Sequence, residues 1–331
     1  QTFRDSVLLT PFSVVLDRSR KSVVLAFRGT LSMADLLKDA LAEPMHLEDL
    51  GATYNFDGKN EYAHKGFMLS AKSAVEHLAN LGLLHFILGL STAKQPEWLG
   101  ANRVCPGYKL VVTGHSLGAG VAACASLLLR RDFPSLSCII FSPPGPTFSL
   151  GLAVRCREWV NTMFLGADMV CRLDPSNVYR LREELVNAID RCNISKWQGL
   201  ALTFFGRNNW LSDSMRTDVS QQRQNEIKVK LPEPLYPPGR ILHLAQLCED
   251  KPCLAKVVPF ASVLTHLFSN IKQRELYPVW IKNDCQSLRS VMISPRMVAD
   301  HFPNIIKIAL DEIVDEYSRL RWSGEVDVVV K

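Results

Sequence analysis

Apolar and polar positions along this chain fall into short β-branched runs separated by longer stretches of helical spacing. "SVVLAF" at 22–27 is a compact apolar run bounded by charge and by "RGT". That pattern predicts a buried strand. "PFSVVLD" at 11–17 predicts a neighbouring strand, and residues 32–42 predict a helix. Residues 43–63 are polar and turn-rich and read as a surface loop. The apolar positions of "LSAKSAVEHLANLGLLHFIL" at 69–88 recur with helical period. "YKLVVTG" at 108–114 predicts a strand, followed by a helix rich in small residues that stops before Pro134. Further strands are expected at 137–145, where "SCIIFSPPG" ends in a turn, and at 159–168 in "WVNTMFLGAD".

Residues 206–240 interrupt this alternation. The segment is polar, bears prolines and shows little periodicity, which is the character of a functional or disordered loop. "ILHLAQL" at 241–247 resumes as a strand, and residues 297–320 read as a turn followed by a helix. Strands alternating with helices imply an α/β fold with a mostly parallel central sheet covered on both faces.

The composition fits that picture. The chain has 331 residues, 47% hydrophobic and 21% charged, with ample apolar material for a core. Thirty-eight basic residues against 33 acidic ones give a net charge of +5. The basic residues are scattered and "RSRK" at 18–21 is a short cluster, so the sequence gives no footprint for nucleic acid. A mildly basic surface is compatible with an anionic membrane. Nine cysteines without CxxC spacing read as free thiols of a reducing compartment. The sequon "NIS" at 193–195 is too common by chance to weigh. No apolar run reaches the roughly 18 residues that span a bilayer. "LGLLHFILGL" at 81–90 is short and reads as core, with a lid or lipid-facing wall as the other reading.

The chemistry concentrates in "VVTGHSLGAGVAA" at 111–123. A strand, then Gly-x-Ser-x-Gly, then a helix is a nucleophile elbow. Gly114 and Gly118 occupy positions where side chains would collide across the turn, and the turn presents Ser116 above the sheet. The following helix directs its N-terminal N–H groups at a developing oxyanion.

A serine nucleophile needs a base, and the base needs a carboxylate to orient it. In this architecture the order along the chain is Ser, then Asp or Glu, then His. Asp168 follows the strand "WVNTMFL", on the rim where Ser116 sits. Asp174, before Pro175, and Asp190, in a helical stretch, are weaker candidates. Three histidines follow. His243 lies inside an apolar strand, His266 on an apolar helix, and His301 in "ADHFP" at a turn before a helix. His115 is expected to point away from the base, and His64 precedes the serine and breaks the order.

"VVLAFRGTLS", "AHKGF", "VVTGHSLGAG", "FSPPG", "GADMVCRL" and "LYPPGRILHL" together resemble the class 3 lipases, most closely the catalytic domain of sn-1-specific diacylglycerol lipases. The match runs from about residue 7 to about residue 320. "GHSLG" is generic, whereas "SPPG" with "LYPPGRI" is specific to that subgroup. The resemblance implies one α/β-hydrolase domain over 1–331 with a regulatory, lid-like insertion at about 206–234. It implies Ser116 as nucleophile, Asp168 as orienter and His301 as base, because "SPRMVADHFP" is similar to the family's histidine segment. Thr30 and the backbone of Leu117 would form the oxyanion hole. Ala167 and Cys171 depart from the commoner Lys and Pro of the family.

The activity so implied is hydrolysis of the sn-1 ester of diacylglycerol, leaving a 2-monoacylglycerol such as 2-arachidonoylglycerol. A lipase acting on another glycerolipid, or an inactive scaffold of the same fold, are the other readings. No metal or cofactor is implied for the chemistry, and the family leaves room for stimulation by calcium. The partner is diacylglycerol in a membrane. A membrane-associated catalytic domain facing the cytoplasm is expected, and the family's four N-terminal membrane helices have no counterpart in these residues. Oligomeric state is not legible.

Overall fold

The computed structural model describes residues 10–29, 43–91, 103–191, 234–246, 276–291, 294 and 296–323. Nine strands lie among them: β1 (Phe12–Asp17), β2 (Ser22–Phe27), β3 (Pro44–His46), β4 (Tyr62–His64), β5 (Lys109–His115), β6 (Ser137–Phe141), β7 (Val160–Leu165), β8 (Arg240–Gln246) and β9 (Leu276–Ile281). The helices are α1 (Glu48–Tyr54), α2 (Lys65–Asn80), α3 (Leu83–Ile87), α4 (Leu117–Leu129), α5 (Leu150–Arg155), α6 (Pro175–Arg191) and α7 (Pro303–Ser323).

Seven strands form one sheet in the order β1-β2-β5-β6-β7-β8-β9. The pairs from β2 through β8 are parallel, and the outer strands β1 and β9 are antiparallel to their neighbours. Alternation along β6 shows how both faces are covered. Cys138 and Ile140 enter the main core with α4, while Phe141 turns to a second cluster built on Leu165, Leu244 and the α7 residues Ile306 and Ala309. This is the mostly parallel α/β sheet that the alternation predicted, in the α/β-hydrolase arrangement that the resemblance implied.

The small residues of α4 have a packing reason. Residues 118 to 129 are all buried, and a Cβ added to Gly120 would stand 2.5 Å from the Phe67 ring of α2. Small side chains let α2 and the sheet approach α4 closely, and Phe67 fills the space that remains. Truncating a ring buried in this way costs about 3–5 kcal/mol.

Two expectations need correction. Residues 43–63 are not a plain loop. Pro44–His46 pairs antiparallel with Tyr62–His64, and α1 lies between them. Leu47 and Leu50 anchor that stretch in the core, but the elements are too short to show a period. The helix expected over 69–88 is two helices, because Gly82 adopts φ +60° and turns the chain between them. Leu84, Ile87 and Leu88 then enter the main core, so this part of 81–90 is core, while Leu81 and Leu90 are exposed. The strand and turn expected over 137–145 are present, the strand ending at Phe141, where Ser142 takes φ +48° ahead of two prolines.

The helix expected over 32–42, the sequon, His266 and residues 206–233 lie outside the described residues. Six of the cysteines are described, all of them free: Cys105, Cys124, Cys138, Cys156, Cys171 and Cys285. No helix among the described residues is long and apolar enough to cross a membrane.

Candidate active site

β5 ends at His115, and α4 begins at Leu117, so a single residue turns the chain. That residue is Ser116, with φ 58° and ψ −131°. A left-handed φ on a non-glycine residue costs about 1–3 kcal/mol and persists only where its surroundings enforce it. The enforcement is visible on both sides. A Cβ on Gly114 would run into the Gly118 carbonyl, and one on Gly118 would stand 2.5 Å from the Phe27 carbonyl at the end of β2. The steric role expected of these two glycines is therefore present in the structure.

The side chain of Ser116 meets His301. Ser116 Oγ is 3.0 Å from His301 Nε2. His301 Nδ1 is 3.2 Å from each oxygen of Asp168. With Nδ1–H donating to the carboxylate, Nε2 is left to accept the serine hydroxyl. The three residues come from three strand ends or crossings. Ser116 follows β5, Asp168 lies in the turn after β7, and His301 closes the 3₁₀ turn Ala299–His301 ahead of α7. Pro303 starts α7 without needing a backbone N–H there.

Asp168 is fully buried. Burial pushes its carboxyl up, but the His301 hydrogen bond and charge, the Ser142 hydroxyl and the Val170 N–H outweigh that. The net result lies below the usual carboxylate range. Val170 N–H donates to Oδ1 at 2.9 Å, and the Cys171 thiol lies 3.6 Å from Oδ2. Cys171 thus sits against the carboxylate. Burial, with the adjacent Asp168 charge, holds that thiol far above its ordinary value.

The other candidates are engaged elsewhere. His243 Nε2 lies 2.9 Å from the Gly166 carbonyl, and its ring stacks on Phe164 at 4.4 Å. His64 caps α2, its Nδ1 accepting the Phe67 N–H at 3.3 Å. Asp174 caps α6, accepting the Ser176 N–H at 2.8 Å, and Asp190 lies within α6. Leu117 opens α4 directly after the serine, and Thr30 lies outside the described residues.

Two points differ from the sequence reading. Ser116 is only 2% exposed and His301 7%, so the serine is covered rather than open above the sheet. His115 does not point away from the base. Its Nε2 is 2.8 Å from the His301 carbonyl, and the two rings lie 4.8 Å apart.

Sequence reasoning also missed Arg172, which is fully buried. Its guanidinium donates to the backbone carbonyls of Asp168, of Gly166 at 3.2 Å and of Ser287 at 2.9 Å. A charged residue in "VCRL" gives no hint that it will stitch the acid turn to a segment more than a hundred residues away.

A sequence model of the family Lipase (class 3) matches residues 24–178, the span that holds β2 to the start of α6 and includes Ser116 and Asp168. The resemblance to the class 3 lipases is borne out. Mouse diacylglycerol lipase-beta is 30% identical over 340 residues, covering 95% of this chain and 45% of that protein. Mouse diacylglycerol lipase-alpha is 29% identical over 324 residues, covering 95% of this chain and 28% of that protein. The chain thus spans less than half the length of these curated relatives. Among solved structures, the Rhizomucor miehei lipase propeptide complex is similar at a TM-score of 0.48 and 15% identity, over 88% of this chain and 63% of that one. Among the described residues, no group of three or more His, Cys, Asp or Glu is arranged to hold a metal ion.

Proposed function

We propose that this chain is the catalytic part of a serine lipase that cleaves the sn-1 ester of diacylglycerol, releasing a fatty acid and a 2-monoacylglycerol such as 2-arachidonoylglycerol. One observation carries the reading: Ser116 Oγ, the His301 ring and the Asp168 carboxylate stand in hydrogen-bonding sequence at a nucleophile elbow. The similarity to proteins named diacylglycerol lipase supports the substrate class.

In this reading Ser116 Oγ attacks the ester carbonyl carbon while His301 Nε2 takes its proton. Asp168 stabilises the imidazolium that forms and keeps Nδ1–H oriented. The carbonyl oxygen becomes an oxyanion facing the Leu117 N–H at the start of α4, and Thr30 is assigned as the second donor. Collapse of the intermediate breaks the bond to the glycerol oxygen, which leaves with the proton from Nε2. Water then attacks the acyl-serine, giving its proton to Nε2, and the fatty acid departs as Ser116 regains its hydrogen. No metal takes part in these steps.

The buried serine requires the cleft to open for an ester to enter. We assign that regulation to the polar stretch at about 206–234 within a single catalytic domain over 1–331. The substrate is drawn from a membrane on whose cytoplasmic side the domain works.

The test is Ser116→Ala. It removes one atom at a buried turn, so the protein should fold, while turnover of diacylglycerol and labelling by a fluorophosphonate probe should both vanish. Analysis of products from a diacylglycerol with different acyl chains at sn-1 and sn-2 reports the position cleaved. Labelling that persists in the variant would place the nucleophile elsewhere.

A further inference from the structure

Asp300 takes no part in the steps above, yet it is a carboxylate only 2% exposed, directly before the histidine. Its Oδ2 accepts the Ala167 N–H at 2.9 Å. Its Oδ1 lies 3.4 Å from Arg296 Nε, one turn earlier in the same segment. Ala167 is the residue before Asp168. The contact therefore links the neighbour of the proposed acid to the neighbour of the proposed base, across 133 positions of sequence.

The acid turn is shaped to admit this carboxylate. Gly166 holds φ +45°, and a Cβ there would stand 2.5 Å from Asp300 Oδ2. The other side of the same turn is held by its carbonyl, which accepts from Arg172 and from His243. Neither Asp168 nor His301 sits on a strand or a long helix. Regular secondary structure does not fix one against the other. Among the described residues, the two segments are also joined by the Met169 N–H to the Met297 carbonyl at 3.0 Å, and Asp300 is the side chain that crosses between their backbones. A buried carboxylate is costly unless its hydrogen bonds are answered, so packing alone gives no reason for one here.

We propose that Asp300 is a positioning residue that sets the Asp168–His301 contact by fastening the acid turn to the base segment from behind. The proposal rests on the reading of Ser116, His301 and Asp168 as the reacting relay. Orientation of an imidazole to within a fraction of an ångström is worth on the order of a hundredfold in rate, and the tie acts on that quantity. It acts on chemistry rather than on substrate capture, since the Ala167 N–H it holds belongs to the turn that carries Asp168.

The experiment compares the chain with Asp300→Ala and Asp300→Asn on one soluble ester, together with Ser116→Ala. Asp300→Ala should lower kcat by roughly 10- to 100-fold with KM within about twofold. Asp300→Asn should recover to within about fivefold of the parent kcat, because its amide oxygen still accepts the Ala167 N–H. If Asp300→Ala does not fold, Asp300→Leu against Asp300→Asn makes the same comparison, as leucine keeps bulk without an acceptor. A kcat within twofold of the parent for the Ala or Leu variant would overturn the proposal. So would an Asn variant as slow as the Ala or Leu one. Turnover surviving in Ser116→Ala would instead sink the relay on which it rests. An inactive Ser116→Ala beside an unimpaired Asp300→Ala or Asp300→Leu would remove the positioning role alone.

Discussion

His115 Nε2 lies 2.8 Å from the backbone carbonyl of His301. The residue before the proposed nucleophile thus holds the main chain of the residue that would activate it. For that hydrogen bond Nε2 must carry the proton, and a neutral ring suffices. Burial, with the neighbouring His301, lowers the His115 pKa from its ordinary 6.5. Burial lowers that of His243 in the same way.

These two shifts predict a pH dependence of stability. In the unfolded chain both rings take up a proton as pH falls through about 6.5. In the fold they resist it, so below that value the unfolded state binds more protons. Their contribution is in place above about 6.5 and is lost as pH falls towards their lower folded values. Denaturation midpoints should therefore drop between pH 7.5 and 5.5. A His115→Gln, His243→Gln double variant should show a flatter dependence over that interval. An unchanged slope would mean the two rings titrate alike in both states.

His301→Ala should lower kcat by about four orders of magnitude or more, the usual result of removing a triad base. His243→Ala should lose the stack on Phe164 and the bond to Gly166, and so lose stability while keeping kcat within about tenfold. Thermal unfolding and steady-state kinetics on the two variants separate the roles. The reverse pattern would transfer the base to His243.

Gly118→Ala drives a methyl against the end of β2, 2.5 Å from the Phe27 carbonyl. Backbone cannot yield as a flexible side chain does, and overpacking of this kind costs about 1–3 kcal/mol. Urea unfolding should show at least that loss. A variant as stable as the parent would mean that the elbow can shift away from β2.

The elbow was legible because its chemistry is local: strand, glycines, serine and helix occupy thirteen consecutive residues. The order rule then narrowed the acid and base, and the structure brings Asp168 and His301 to the serine while His243 is held elsewhere. What could not be read was tertiary. Arg172 and Asp300 act by reaching carbonyl or N–H groups of distant segments, and no spacing announces such a contact. The elements within 43–63 were hidden for a different reason. A three-residue strand shows no period, and its pairing of Pro44 with His64 depends on a partner twenty residues away.

Replacing residues 206–234 with a short Gly/Ser linker should raise turnover of a small soluble ester, because the stretch is assigned to govern access to a serine only 2% exposed. Rates on soluble ester and on diacylglycerol are compared in the folded variant. Unchanged rates on both would make the segment a spacer.

Gly118 meets the end of β2, and the same junction has a second point of contact. A Cβ on Gly29 would lie 2.7 Å from the His115 carbonyl. The stretch that leads to residue 30 is therefore pressed against the elbow's backbone with no room for a side chain between. Whatever follows Gly29 would set out from a position that the elbow dictates. In engineering terms, residues 27–29 and 114–118 form one transplantable part. A graft that moved the serine motif without the matching end of β2 would lose the backbone against which Gly29 and Gly118 are pressed.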